Sequence, residues 1–313
     1  MRKLLKHIFV LLTVLSQVVF AQQDPQYNLY QFNPLIINPA YSGYRDVISV
    51  VGNVRNQWVG FEGAPKTSII SVHAPVFTKN LGIGGTIIGD RIGPRNMVGI
   101  MGNFAYNVKI ANDWKLALGL GAGYNRYQFN YSQIQFKFVE NSAVQLNDLN
   151  TGNLDFNTGF LLRSKKFFFG FSATHLFAKN LFSQELKEAT NSSSTLNYRL
   201  HTHTHFYLGR SFMINENLIF SPTIMFRTVS EGEGNLDLNF NFFIKQKVWL
   251  GLFFRGPYGP GIIMNFYLTE SLRVGYSYDV GVGAARRLGP SHEITIGYDF
   301  KSKKSKIISP RFL

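Results

Sequence analysis

Three imidazoles at alternate positions, His201, His203 and His205, form the densest group of chemically capable side chains in this sequence. On an extended strand they share one face, and neighbours stand ~6.6 Å apart. That spacing is loose for a single tetrahedral metal ion. The intervening residues Thr202, Thr204, Phe206 and Leu208 grow more apolar along the segment. The histidine row therefore reads as the lining of a polar lumen, and neither a metal nor any other cofactor is expected. Nucleophilic hydrolysis would need a Ser beside a His with an orienting acid or amide. The chain has 7 His, one of them His7 near its start, and none lies in a recognisable nucleophile motif. A phosphate loop, an EF-hand and a His-Glu-x-x-His pattern are likewise missing. The expectation is a protein that is not an enzyme.

Two other stretches carry residues suited to gripping a partner. Residues 24–43 contain the pairs Asn33-Pro34 and Asn38-Pro39, which break any helix or strand. Yet Tyr27, Tyr30, Phe32, Leu35, Ile36, Ile37 and Tyr41 make the stretch apolar, where a flexible leader would be polar. It packs either as a plug against a lumen wall or against a partner at the periplasmic mouth. In the second stretch Trp58 and Phe61 are held on a tight path by Gly60, Gly63 and Pro65. Exposed aromatics on a rigid loop suit partner contact, and a place in an aromatic girdle would account for them equally. The candidate partner-binding residues are Phe32, Asn33, Pro34, Asn38, Pro39 and Tyr41, then Gln57, Trp58, Phe61, Pro65 and Lys66.

The elements that must position these residues are strands. After residue 44 the dominant hydrophobic period is two. In 114–124, Trp114, Leu116, Leu118, Leu120, Ala122 and Tyr124 share one face, against Lys115, Ala117, Gly119, Gly121 and Gly123. Aromatics bracket the aliphatic face, as a lipid-facing strand requires. Residues 272–280 and 293–300 repeat the pattern, with Arg273, Ser277, Asp279, Glu293 and Asp299 on the polar face. About fourteen strands follow from this reading: 45–57, 66–75, 80–91, 96–109, 113–127, 153–163, 166–175, 197–212, 217–228, 235–245, 247–255, 260–268, 271–280 and 291–300. Their lengths suit tilted membrane strands of ~9–11 residues.

The connections sort by parity. After even-numbered strands they are short and polar, as at Thr78-Lys79, Asn215-Glu216 and Thr269-Glu270. After odd-numbered strands they are longer or rich in Gly and Pro, the largest being 128–152 and 176–196. Short periplasmic turns and longer outer loops mark outer-membrane barrels. An even strand number then puts both termini in the periplasm. At membrane depth no sheet edge can be left free, so the sheet closes. About fourteen strands enclose more space than side chains fill, and many inward positions are Gly; the lumen either holds water or is plugged.

Composition agrees. Charged residues are only 16% against ~25% in soluble domains. Aromatics reach 15%, with 29 Phe and 15 Tyr, and mean hydropathy is −0.03. There is no cysteine, which excludes disulfides and a lipoprotein anchor. The opening combines Arg2, Lys3 and Lys6 with an apolar run over 8–20, too short to span, and ends at Ala21; this is a secretory signal peptide. The net charge of +14 is spread along the chain rather than gathered on one element, so no nucleic acid is expected. Outer-membrane lipid is the expected neighbour of that basic surface. The chain divides into a signal peptide (1–21), a periplasmic N-terminal segment that is the plug candidate (22–43), a transmembrane antiparallel β-barrel (44–300) and a basic C-terminal tail (301–313) with Lys301, Lys303, Lys304 and Lys306.

The stretch from Phe32 to Gly43, the block Arg55-Asn-Gln-Trp-Val-Gly-Phe-Glu-Gly-Ala-Pro-Lys-Thr67, the following Ser71-Val-His-Ala74, and the runs Leu81-Gly-Ile-Gly-Gly85 and Asp90-Arg-Ile-Gly-Pro94 resemble the PorP/SprF family of type IX secretion system membrane proteins. The likeness is dense over 24–94. Beyond it lie barrel patterning, the Ser291-His-Glu-Ile294 strand and the Ser309-Pro-Arg-Phe312 ending. The resemblance implies an outer-membrane component of that secretion and gliding machinery. It would assist secretion or surface anchoring of a cargo such as an adhesin, through the cargo's C-terminal signal domain. A passive porin or solute-transport barrel is the alternative.

Overall fold

The computed structural model describes residues 25–45, 47–76, 80–133, 148–177, 180–187, 193–232, 234–256 and 258–300. The expected signal peptide, the basic tail, the Thr78-Lys79 turn and residues 22–24 lie outside the described residues. Among the described residues the strands are β1 (Ile48–Asn56), β2 (Lys66–Val76), β3 (Leu81–Ile92), β4 (Arg95–Lys109), β5 (Lys115–Phe129), β6 (Leu149–Arg163), β7 (Phe167–Thr174), β8 (Asn180–Lys187), β9 (Ser193–Arg199), β10 (His203–Arg210), β11 (Phe212–Asn215), β12 (Leu218–Val229), β13 (Asn235–Ile244), β14 (Val248–Arg255), β15 (Gly259–Tyr267), β16 (Leu272–Asp279) and β17 (Ser291–Phe300).

All pairings are antiparallel, and β17 returns to β1 with Ile48 opposite Phe300 and Asn56 opposite His292. That pairing closes the cylinder. Between β7 and β12 the wall is built by β10, which β11 continues past Ser211 while pairing with β12 alone. The two pieces count as one strand, so the wall has fourteen. β8 and β9 form a separate hairpin.

Observed and expected strands differ mainly here. The expected strand 197–212 starts late, at His203, because Ser193–Arg199 pairs with β8 instead. The expected strand 153–163 starts early, at Leu149, because Leu149 opposite Phe129 prolongs the β5–β6 ladder.

Burial follows the two-residue period with the sign a membrane demands. Leu118, Leu120 and Tyr124 point outward and are exposed, while Ala117 points inward and is buried. On β17, Ile294, Ile296, Tyr298 and Phe300 are exposed, and Glu293, Thr295 and Asp299 are buried. An apolar exterior around a polar interior is the pattern of a barrel in lipid. The wall connections 110–114, 164–166, 216–217, 245–247 and 268–271 lie at one end, the turn end. Lys245 and Gln246 both have left-handed φ there, the type I′ geometry that matches hairpin twist. The longer connections 57–65 and 280–290 and the described residues of 130–148 and 175–202 lie at the loop end, together with the short 93–94 and the described residues of 230–234 and 256–258.

Candidate functional site

The lumen is filled by the chain's own N-terminal segment. Its two prolines each open a 3-10 turn, Pro34–Ile36 and Pro39–Tyr41, where a missing N–H costs nothing. The Asn38 side chain accepts from Ala40 N at 2.8 Å. An irregular segment taken out of water must find a partner for each polar group. Three asparagines do much of this. Asn28 donates through Nδ2 to Ser277 Oγ (3.0 Å) and to Asp279. Asn33 Nδ2 donates to Asn53 Oδ1 (2.8 Å) and Ser71 Oγ (3.1 Å). Asn38 Nδ2 has Tyr207 OH at 2.7 Å and the carbonyls of Phe160 and Phe171 at 3.1 and 3.0 Å. Those partners sit on widely separated strands, so the segment lies inside the cylinder.

Charged groups fasten its two ends. Glu293 accepts the backbone N–H of Asn28 (2.7 Å) and of Leu29 (3.2 Å), and Arg255 Nη2 donates to Tyr27 O at 2.9 Å. Arg255 ends β14 and Asp279 ends β16, so this anchorage is at the loop end. At the turn end Arg45 Nη1 donates to Asp299 Oδ2 at 2.8 Å. Residues 25–45 therefore run the length of the lumen, from loop end to turn end, before entering β1. The Tyr30 hydroxyl is buried among the inward residues of the wall. It accepts from Asn239 Nδ2 at 3.1 Å.

Packing explains the inward glycines. A Cβ on Gly119 would stand 2.1 Å from Ala40 N, and one on Gly82 would stand 2.0 Å from Ser42 O. Both would strike the plug's backbone, which cannot swing aside as a side chain could. Phe32, 2% exposed, meets Trp249 edge-on at 5.7 Å between centroids. Tyr41 stacks on Tyr207 at 6.3 Å, and the Arg163 guanidinium lies 4.2 Å from the Tyr44 ring centre.

The second candidate stretch forms a braced rim at the loop end. Gln57 is buried, and its N–H donates to Pro65 O at 3.0 Å. Val59 N donates to Pro290 O (2.7 Å), Trp58 N to Ser291 Oγ (3.3 Å) and Gly93 N to Gly63 O (2.8 Å). Trp58 is half-buried with φ of 54°, and the tip presents Val59 and Phe61, about half exposed. Pro65 is buried; Lys66 leaves the loop altogether, as the first outward residue of β2. The structure thus gathers Phe32, Asn33, Pro34, Asn38, Pro39 and Tyr41 in the lumen. It sets Gln57, Trp58, Phe61 and Pro65 on the rim, and Lys66 on the outer wall.

One link joins the lumen and the rim that residue types alone do not reveal. Arg55, two residues before Gln57, donates to Asp279 (3.2 Å) and Glu293 (3.4 Å), the carboxylates that hold Asn28. Inward Asp279 and Glu293 were legible as polar-face residues; their convergence on Arg55 was not. Across the mouth the β8–β9 hairpin leans on inward residues of β4 and β5. Leu181 joins Met97, Tyr127 and Phe129 in one buried cluster, and Arg95 Nη1 donates to Tyr198 OH at 2.6 Å. His203 and His205 occupy the β10 face that carries buried Tyr207, while His201 precedes the strand. His175 Nδ1 lies 2.8 Å from Asp155, and its ring is 5.9 Å from that of His203. Among the described residues no group of three His, Asp or Glu side chains is placed to hold a metal ion.

Compared with known families, residues 19–298 match the one described as type IX secretion system membrane protein PorP/SprF. No curated protein matches the chain. Among solved structures, a Pseudomonas aeruginosa FadL homologue is similar at 9% identity and a TM-score of 0.51, covering 89% of this chain and 95% of that one. The Pseudomonas putida toluene transporter TodX is similar at 9% identity and 0.50, covering 88% and 94%. The CymD monoaromatic hydrocarbon channel is similar at 8% identity and 0.51, covering 86% and 93%. At these identities the likeness is one of fold: an outer-membrane β-barrel.

Proposed function

The chain belongs to the PorP/SprF family of type IX secretion system membrane proteins, and from that membership we propose that it holds an exported cargo for the machine and catalyses nothing itself. It is an outer-membrane β-barrel component of that system. In the reading we favour, the turn end and its short turns face the periplasm. The cargo, an adhesin-like protein, is engaged through its C-terminal signal domain by the rim around Trp58 and Phe61. The observation that carries this reading is the contrast between a lumen filled by residues 25–45 and an aromatic tip left half exposed beside it. A filled lumen suits a holder better than a conduit. The rim is rigid, because neighbouring loops brace it on both sides, and rigid exposed aromatics make efficient contact residues.

Deleting the gene should remove one or a few large proteins from the cell surface, read by surface proteomics. An intact surface proteome defeats the proposal. Replacing Phe61 with Ala should lower capture of the cargo's C-terminal domain by about tenfold, as loss of an aromatic hot spot does, with barrel stability unchanged. The porin alternative requires steady single-channel conductance from the purified barrel alone.

A further inference from the structure

The outer wall carries one local breach of the apolar rule. At the loop-end edge of the lipid-facing surface, Lys66 on β2 stands directly opposite Arg91 on β3. Both point outward, since their neighbours Thr67 and Asp90 are buried and bonded to each other at 2.7 Å inside the barrel. Arg126 on β5 also points outward, opposite Val98. Like charges directly across a strand pair repel, and cations beside hydrocarbon need a counter-charge.

The described protein supplies none. The outward residues around them on β2 to β6, namely Ser68, Asn96, Val98, Gln128, Asn150 and Gly152, are all uncharged. Arg126 Nε donates to Asn150 Oδ1 at 3.0 Å, which orients the guanidinium without neutralising it. Lys66 and Arg91 make no ion pair with any described carboxylate, although Glu62 lies only four residues from Lys66 in the chain. Elsewhere around the barrel the same level is uncharged, with Thr228, Leu236, Phe254, Pro260 and Tyr278 facing out. At the turn end, by contrast, outward Lys165 is paired within the chain, to Asp113 at 2.9 Å.

We propose that Lys66, Arg91 and Arg126 form a docking patch for the phosphates of an anionic outer-leaflet glycolipid of the lipopolysaccharide type. Guanidinium groups take phosphate oxygens in bidentate fashion, and Lys66 adds a point charge beside them. The apolar row deeper in the wall, Ile70, Ile87, Ile100 and Tyr124, offers a surface for the acyl chains below the phosphates. The patch occupies one side of the barrel, so it would give the protein a lipid-ordered flank and leave the opposite flank free. The inference rests on the loop end facing outward in the cell.

The test uses the full-length barrel in detergent, where binding does not depend on which way it was inserted or on any cargo. Failure here is therefore distinct from failure of the cargo-holding reading. Diphosphoryl lipid A and its dephosphorylated form are titrated by native mass spectrometry. The wild type should retain the phosphorylated form selectively. Each charge near an anionic surface is worth about fivefold in affinity. The triple variant Lys66→Gln, Arg91→Gln, Arg126→Gln should therefore lose on the order of a hundredfold, with its heat-dependent gel migration unchanged. A turn-end control, Lys109→Gln with Lys165→Gln and Lys245→Gln, should bind as wild type does. Equal binding of both lipids, wild-type binding by the triple variant, or an equal loss in the control overturns the proposal. So does a triple variant that keeps the lipid but loses an acidic protein partner, since the patch would then belong to that partner.

Discussion

The inner and outer faces of the same strands obey opposite rules. Outside, Leu118, Leu120, Phe240 and Leu252 need only be apolar, because lipid adapts to their shape. Inside, the polar side chains that hold the plug have named partners at fixed places on the plug or a neighbouring strand. Asp299 alone receives Arg45, Arg273 and Ser49. The difference teaches that stability and closure of this barrel are decided in its lumen, while the outer surface sets only its environment.

Substitutions can break or sharpen that contrast. The largest effect is expected at Asp299→Ala, which leaves two buried guanidiniums without a counter-charge. Loss of one partner from a buried pair costs about 3–5 kcal/mol, read as a fall in the urea midpoint of the folded barrel. Next comes Gly119→Val, whose side chain must enter the space of Ala40. Overpacking of this kind costs about 1–3 kcal/mol. Because the plug and not the wall can yield, ion conductance should appear in planar bilayers, where the wild type stays closed. If Gly119→Val remains closed and as stable as wild type, the plug is not seated as described. Asn38→Leu keeps the branched shape but orphans the Ala40 N–H and removes the donor to two wall carbonyls and Tyr207, which should cost about 1–3 kcal/mol. The same urea midpoint checks it. Leu120→Val on the outer face should shift that midpoint by less than about 0.5 kcal/mol. An outer substitution as costly as Asn38→Leu would erase the distinction between the faces.

Much of the wall was readable residue by residue. Lys66–Val76 was expected at 66–75 and Ser291–Phe300 at 291–300, because alternation and turn residues are local signals. The break at Ser211 and the β8–β9 hairpin were not readable. Only Leu196 and Tyr198 alternate within Ser193–Arg199, too weak a local signal to say that it pairs with β8. Among the candidate site residues, the apolar character of 24–43 and the tight Trp58 turn were evident. Lys66 was grouped with the rim residues although its strand was expected to begin there, and that strand turns it toward lipid.

The sequence by itself determined the period, the strands and the apolar sign of the outer face, since each depends on residues two apart in one segment. It also determined that 24–43 must be buried somewhere, because so apolar a stretch cannot remain in water. Only the tertiary structure decided where and in which direction. Asn28 and Glu293 are 265 positions apart, and nothing local to either says they will meet. Their meeting at the loop end, with Arg45 and Asp299 at the other, comes from closing the cylinder. Closure brings β1 beside β17 and so turns distant inward charges into a single frame around the plug.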